Sequence, residues 1–123
     1  MEKTASYPKY SVVVPVYCEA ESLVELTQRV ADAFSKVPEP NTFELIFIDD
    51  GSTDHTQNII QTLSEQHDFI RSIRFRRNVG KALALMAGMR TAKGDAVFTM
   101  DGDLQDNPED IPIFIEQLKE GVD

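Results

Sequence analysis

The chain has 123 residues, enough for one domain and too few for two typical ones. Its formal net charge is −9, and its densest basic run is only Arg74-Phe75-Arg76-Arg77, so non-specific nucleic-acid binding through phosphate contacts is not expected. A single cysteine, Cys18, rules out an intrachain disulfide and fits a reducing compartment, and no run of eighteen apolar residues is present to span a membrane.

Residues 1–9 are polar, contain Pro8, and read as a loose lead-in; Met1-Glu2-Lys3-Thr4-Ala5-Ser6 lacks the apolar core of a signal peptide. One domain over residues 10–123 is expected to follow. Tyr10-Ser11-Val12-Val13-Val14-Pro15-Val16 is a β-branched run of the kind covered on both faces of a sheet, with Pro15 at its end because proline cannot donate to a ladder. Tyr17-Cys18-Glu19-Ala20 reads as a loop. Leu23, Leu26, Val30, Ala33 and Phe34 then recur at helical spacing over 21–36, opened by Glu21 or Ser22 and ended by Pro38-Glu39-Pro40-Asn41. Phe43-Glu44-Leu45-Ile46-Phe47-Ile48 is a second buried strand. Asp49-Asp50-Gly51-Ser52-Thr53-Asp54 follows it, rich in turn and cap residues, and leads to a helix over 55–66. Residues 69–75 alternate with period two and predict a shorter, more exposed strand. A loop over 76–81 leads to a helix over 81–92, with Leu83, Leu85, Met86 and Met89 as its apolar face and the two methionines as core fillers. Ala96–Met100 is the fourth strand. Asn107-Pro108-Glu109-Asp110 is a helix start: Asn as cap, Pro at the first position, acids in the first turn.

The order β-α-β-α-β-α-β-α implies a doubly wound, mostly parallel α/β sheet with right-handed crossovers. Ligands in such sheets bind beyond the C-terminal strand ends. Tyr17 and Glu19, Asp49-Asp50, and Asp101-Gly102-Asp103 all fall there. If the strand direction persists past Met100, Asp101, Asp103 and Gln105 point to one side. Two carboxylates so placed repel unless a proton or cation sits between them, and oxygen ligands suit Mg²⁺ or Mn²⁺. Gly102 leaves room for a ligand to approach the backbone.

Two familiar phosphate motifs are absent. The position five residues before Gly80-Lys81 is Phe75 and not Gly, and Tyr17-Cys18-Glu19-Ala20-Glu21-Ser22 has no Gly-rich turn, so neither a P-loop nor a dinucleotide fold is supported. A receiver domain would carry its acidic pair after the first strand, whereas here it follows the second.

Val14-Pro15-Val16-Tyr17-Cys18-Glu19, Ile48-Asp49-Asp50-Gly51-Ser52-Thr53-Asp54, Arg77-Asn78-Val79-Gly80-Lys81, Gly94-Asp95 and Met100-Asp101-Gly102-Asp103-Leu104-Gln105-Asp106-Asn107-Pro108 resemble the family 2 glycosyltransferases of GT-A fold. The subgroup most similar is the polyprenyl-phosphate (dolichyl-phosphate) mannose and glucose synthases. The resemblance runs from about Ser11 to the end. It implies a Rossmann-like nucleotide-binding half and a nucleotide-sugar donor of UDP-glucose or GDP-mannose type. Pro15, Tyr17 and Glu19 would surround base and ribose, with Ile48, Asp50 and Gly102 also on the nucleotide. Asp49 would support the turn. Lys81 would face phosphate at a helix start. Asp101 and Asp103 would form a D-x-D motif in the catalytic role, with Asp101, Asp103 and Gln105 as metal ligands. Cys18 departs from the family's usual Asn.

A diphosphate leaves poorly without charge neutralisation, so a divalent ion held by the carboxylates would act as Lewis acid and template. A lipid-phosphate acceptor is already ionised and needs no strong base, and single displacement would invert the anomeric centre.

The resemblance also implies a second half with the acceptor site, because Gly121-Val122-Asp123 falls where a further strand would follow. The isolated chain is then expected to be inactive. The longer protein would sit on the cytoplasmic side, with membrane association only through parts absent from this chain. An open sheet edge at Ala96–Met100 invites self-association. The alternative is a non-catalytic nucleotide-sugar or metal-binding scaffold; a nucleotidyltransferase would carry a Gly-rich loop near its start. Among single residues, His55 and His67 read as surface polar groups, Arg74, Arg76 and Arg77 as a solvated face, and Cys18 as a small buried residue. Tyr17 fits packing or base stacking equally.

Overall fold

The structure, a computed structural model, describes residues 8–38 and 41–120. Most of the lead-in, Glu39-Pro40 of the helix-ending run, and Gly121-Val122-Asp123 lie outside the described residues. Among the described residues four strands, β1 (Tyr10–Val16), β2 (Phe43–Asp49), β3 (Ile70–Arg74) and β4 (Ala96–Thr99), alternate with helices α1 (Leu23–Ser35), α2 (Thr56–Gln66), α3 (Lys81–Thr91) and α4 (Ile111–Lys119). A single 3₁₀ turn, Pro108–Asp110, leads into α4 with Pro at its first position.

The sheet is parallel throughout, in the order β3-β2-β1-β4. The chain steps outward from β1 to β2 to β3, then returns across the sheet to β4. Right-handed crossovers therefore put α1 and α2 on one face and α3 on the other. The core follows this division. Val12, Val14, Val16, Leu45 and Phe47 face α1, α2 and α4, while Val13, Ile46 and Ile48 face α3. Every residue of β1 is buried, as its apolar run predicts. Pro15 fits because β4 pairs with β1 only as far as Val13↔Thr99, so the missing N–H falls beyond the ladder on that side.

The apolar face expected for α3 is corrected by the structure. Ala84 and Gly88, not the large residues, meet the sheet. A Cβ on Gly88 would overlap Val13 Cγ1 and come within 2.6 Å of Ile48 Cδ1, so the helix lies too close to the sheet for a side chain there. Met86 and Met89 are exposed rather than core fillers, and Leu83 is exposed beside them. Leu85 is partly buried.

One buried polar network has no counterpart in the sequence reading. Glu44, in the second position of β2, accepts hydrogen bonds from Ser11 Oγ at 2.6 Å, Arg71 Nη1 at 2.6 Å and the Lys93 N–H at 2.7 Å. Burial pushes its carboxyl up, but those donors outweigh burial and hold it below its ordinary value. Ser11 Oγ also accepts from the Gly94 N–H at 2.8 Å, so the start of β4 is tied to β1 and β2.

Candidate active site

Strand order reverses between β1 and β4, so the loops leaving those two strands open a crevice at the C-terminal rim. A cleft of about 230 Å³ lies there, lined by Pro15, Val16, Tyr17, Glu19, Asp50, Lys81, Asp101, Gly102 and Asp103. Eight of these are residues the sequence pointed to. Tyr17 is 45% exposed and lines this cleft.

The acidic residues arrive from separate elements. Asp50 follows β2, and its carboxylate is anchored by the next loop: Oδ1 accepts from the Val79 N–H at 2.8 Å, and Oδ2 from the Gly80 N–H at 3.0 Å and Asn78 Nδ2 at 3.1 Å. Gly51 makes this approach possible. Its φ is +77°, and a Cβ would overlap the Arg77 carbonyl carbon and come within 2.5 Å of the Asn78 nitrogen. Asp49 is fully buried, and its Oδ1 accepts from the Ser52 N–H at 2.9 Å, a turn-supporting role.

The β1 loop is pinned to the β2 loop. Cys18 N–H donates to Ser52 Oγ at 2.8 Å, and Glu19 N–H donates to Thr56 Oγ1 at 2.9 Å. Cys18 takes φ +54° and is exposed, not buried as the sequence reading had it. An Asn at such a position would tolerate this backbone well. Hydrogen bonds from Thr53 lower the thiol's pKa.

At the end of β4 the strand direction does not persist. Residues 102–104 turn, with Leu104 at φ +67°, so Asp101, Asp103 and Gln105 do not share one side. Asp101 and Asp103 line the cleft, but Gln105 is exposed and outside it, its N–H donating to Asp103 Oδ1 at 3.2 Å. Lys81 Nζ forms an ion pair with Asp101 Oδ1. The Asp101 N–H donates to Asp106 Oδ2 at 2.7 Å. Gly102 is buried, and the space a Cβ would need is held by Glu19 Oε1 and Val16 Cγ1, each at 2.7 Å, and not left for a ligand. Ile48, another position assigned to the nucleotide, is fully buried against α3 and does not line the cleft.

Ser22 is the residue that sequence reasoning missed. It was read as a helix opener, yet it makes no side-chain cap bond. Its hydroxyl instead donates to the Gly102 carbonyl and lies 3.2 Å from the Glu19 carbonyl, fastening the Asp101-Gly102-Asp103 turn to α1. No local pattern signals this, because the partners are 80 residues apart.

Burial pushes the Glu19 carboxyl above its ordinary value, and the Asp103 and Asp101 charges push the same way. The Asp101 carboxylate raises the Lys81 pKa. The cleft is therefore a cluster of acid oxygens with one resident ammonium. Among the described residues no group of three or more His, Cys, Asp and Glu side chains is arranged to hold a metal ion. Asp101 and Asp103 are two carboxylates of this cleft that could hold a divalent ion of the kind that takes its other ligands from phosphates and water, as Mg²⁺ commonly does.

A parallel sheet of this order, with helices on both faces and an acidic cleft at the switch point, defines a doubly wound, Rossmann-like α/β protein. Residues 11–123 match the family described as Glycosyl transferase family 2, and the chain belongs to that family. It is 40% identical over 114 residues to an undecaprenyl-phosphate 4-deoxy-4-formamido-L-arabinose transferase of Pseudomonas fluorescens, covering 92% of this chain and 33% of that protein. The like-named protein of Serratia proteamaculans is 38% identical over the whole chain and 37% of its own length. The chain thus spans about a third of the length of these curated relatives. Among solved structures, a mannosyltransferase of Pyrobaculum calidifontis in complex with GDP-Man and Mn²⁺ superposes with a TM-score of 0.73 at 26% identity, over 93% of this chain and 33% of that one. A glucosyl-3-phosphoglycerate synthase of Mycobacterium tuberculosis, in complex with Mn²⁺, UDP and glucosyl-3-phosphoglycerate, gives 0.65 at 25% identity, over 90% and 39%.

Proposed function

We propose that this chain is the donor-binding part of a longer inverting glycosyltransferase, one that moves a hexose-type sugar from a nucleoside diphosphate to a polyprenyl phosphate. The observation that carries the reading is the cleft itself: Asp101 and Asp103 from β4, Glu19 from β1 and Lys81 from the first turn of α3 face one another at the switch point. The similar structures bound to GDP-Man or UDP with Mn²⁺ support the donor class. The undecaprenyl-phosphate transferases support the acceptor. The relatives' greater length supports an acceptor site in further polypeptide and a residues 10–123 unit that binds donor without turning it over.

The roles follow from charge and position. Asp101 and Asp103 would hold Mg²⁺ or Mn²⁺, which when bound supplies charge neutralisation to the leaving diphosphate. Lys81, at a helix N-terminus, meets phosphate with both its ammonium and the helix's free N–H groups. Tyr17 offers an exposed ring to the base. Asp50 has a remaining lone pair on Oδ1, and its main task is to hold the Asn78-Val79-Gly80 loop that aims Lys81.

Calorimetry with UDP-glucose, GDP-mannose and UDP, each with and without Mn²⁺, on wild type and Asp103→Ala, tests this reading. Mn²⁺-dependent binding lost in Asp103→Ala is expected. A second reading, a scaffold with a degenerate site, draws on the lack of a three-acid metal cluster among the described residues. It is favoured if the nucleotides bind equally without metal, or not at all.

A further inference from the structure

The eight residues of α3 between Lys81 and Arg90, Ala82-Leu83-Ala84-Leu85-Met86-Ala87-Gly88-Met89, carry no polar side chain on any face. A helix apolar all round belongs in an environment that covers it all round. The sheet covers only the Ala84 and Gly88 side. On the other, Leu83, Met86 and Met89 are 52%, 51% and 55% exposed, and Val79 lies near them at 39%. With the end of β3, Val79, Leu83 and Met86 frame an open groove of about 660 Å³, and Met89 lies outside its lining.

The groove is cationic in an acidic protein. From Phe69 to Gly94 there is no Asp or Glu, while seven of the chain's twelve Lys and Arg fall in that span. Arg71 is taken by Glu44 and Lys81 by Asp101. Arg74, Arg76, Arg77 and Arg90 line the groove, and none of them forms an ion pair among the described residues. The groove contains no acidic residue to neutralise them.

We propose that this face docks onto an anionic lipid bilayer, with Leu83, Met86 and Met89 at the depth of the acyl boundary and the arginines on headgroup phosphates. The composition matches that chemistry: apolar side chains on a helix surface flanked by cations, with long arginine stems able to keep their charge at the water side. A second copy of this chain fits worse, because a two-fold contact would set the arginine rim against itself. The groove begins at Arg76 and Arg77, immediately before the Asn78-Val79-Gly80 segment that holds Asp50, so a docked bilayer would lie beside the catalytic rim. This departs from the expectation that membrane association lies only outside the chain. It does not depend on the donor chemistry, and a failed nucleotide titration leaves it standing.

The test is co-sedimentation of the chain with vesicles of phosphatidylcholine alone or with a third phosphatidylglycerol, at low and high salt. Binding to the anionic vesicles, weakening as salt rises, is expected. The pair Arg76→Glu/Arg90→Glu should lower the partition coefficient by roughly tenfold or more, since each cation near such a surface counts several-fold. The pair Arg76→Lys/Arg90→Lys should keep it, and Met86→Gln should lower it at unchanged charge. The thermal transition, compared with that of wild type, serves as the fold control for all of these variants. Equal binding to both vesicle types, or none to either, overturns the proposal. So does a concentration-dependent dimer that Met86→Gln dissolves while vesicles are ignored.

Discussion

Lys81 Nζ and Asp101 Oδ1 form an ion pair across the cleft, joining the first residue of α3 to the loop that leaves β4. The ammonium occupies one of the two carboxylates that would hold a divalent ion. A cation on Asp101 would therefore compete with this pair, and Lys81, once released from Asp101, would be free to meet a diphosphate. Lys81→Met should tighten Mn²⁺ binding in the absence of nucleotide and weaken UDP or GDP binding by about tenfold, the scale of one lost charge-assisted contact. Stability should change by no more than about 1 kcal/mol, because the pair is exposed. Titration of Mn²⁺ alone and of Mn²⁺ with UDP separates the two effects; parallel losses in both would refute the competition.

Glu19 supplies a test of site strain by pH. Its pKa is raised chiefly by burial. A group whose folded pKa exceeds its unfolded value favours the fold below the unfolded pKa, and that contribution is lost as pH rises through the folded pKa. At neutral pH the ionised carboxylate is thus a cost. Glu19→Gln keeps an oxygen for the Tyr17 N–H and removes the charge. The variant should melt higher than wild type at pH 7, and the gain should vanish as pH falls below the ordinary glutamate value. A gain independent of pH would remove burial as the cause.

Arg29 and Glu109 give the opposite sign. Arg29 Nε and Nη2 each lie 2.7 Å from a Glu109 carboxylate oxygen, a two-pronged bond from α1 to the turn before α4. The guanidinium holds the Glu109 pKa down at about 2. A depressed pKa stabilises above the unfolded value and is lost as pH falls through the folded one. The melting-temperature difference between wild type and Glu109→Gln should be present above the ordinary glutamate pKa of 4.5 and fade as pH approaches about 2. Differential scanning calorimetry across that window reads it directly.

Two glycines test the packing geometry. Gly88→Ala forces a methyl between Val13 and Ile48 and should destabilise by about 1–3 kcal/mol, as overpacking does. Gly51→Ala meets backbone atoms of Arg77 and Asn78 at a left-handed φ, and should cost about as much or more. Urea denaturation gives both values. Only Gly51→Ala should also weaken nucleotide binding, because only that loop carries the bonds from Asp50 to Lys81's neighbours.

Strand and helix positions were legible in the chain because they rest on local periodicity. The β1 run Tyr10–Val16 and the β2 run from Phe43 carry enough apolar density to demand burial wherever the chain goes. The placement of acids at strand ends followed, since turn residues must interrupt each strand. The α3 error has an equally plain cause. Eight consecutive apolar residues carry no phase, so size alone made Leu83, Met86 and Met89 look like the inner face, when close approach to the sheet selects the smallest residues.

What the sequence by itself determined was the order of elements, the parallel sheet they must form, and the loops that gather at its C-terminal rim, because hydrophobic period and crossover handedness leave few other arrangements. Tertiary structure alone decided which acids meet: that Leu104 turns the chain and leaves Gln105 outside, that Lys81 reaches Asp101, and that Ser22 fastens Gly102 from 80 residues away. Those are distances between segments, and no pattern along a chain encodes a distance until the packing has fixed it.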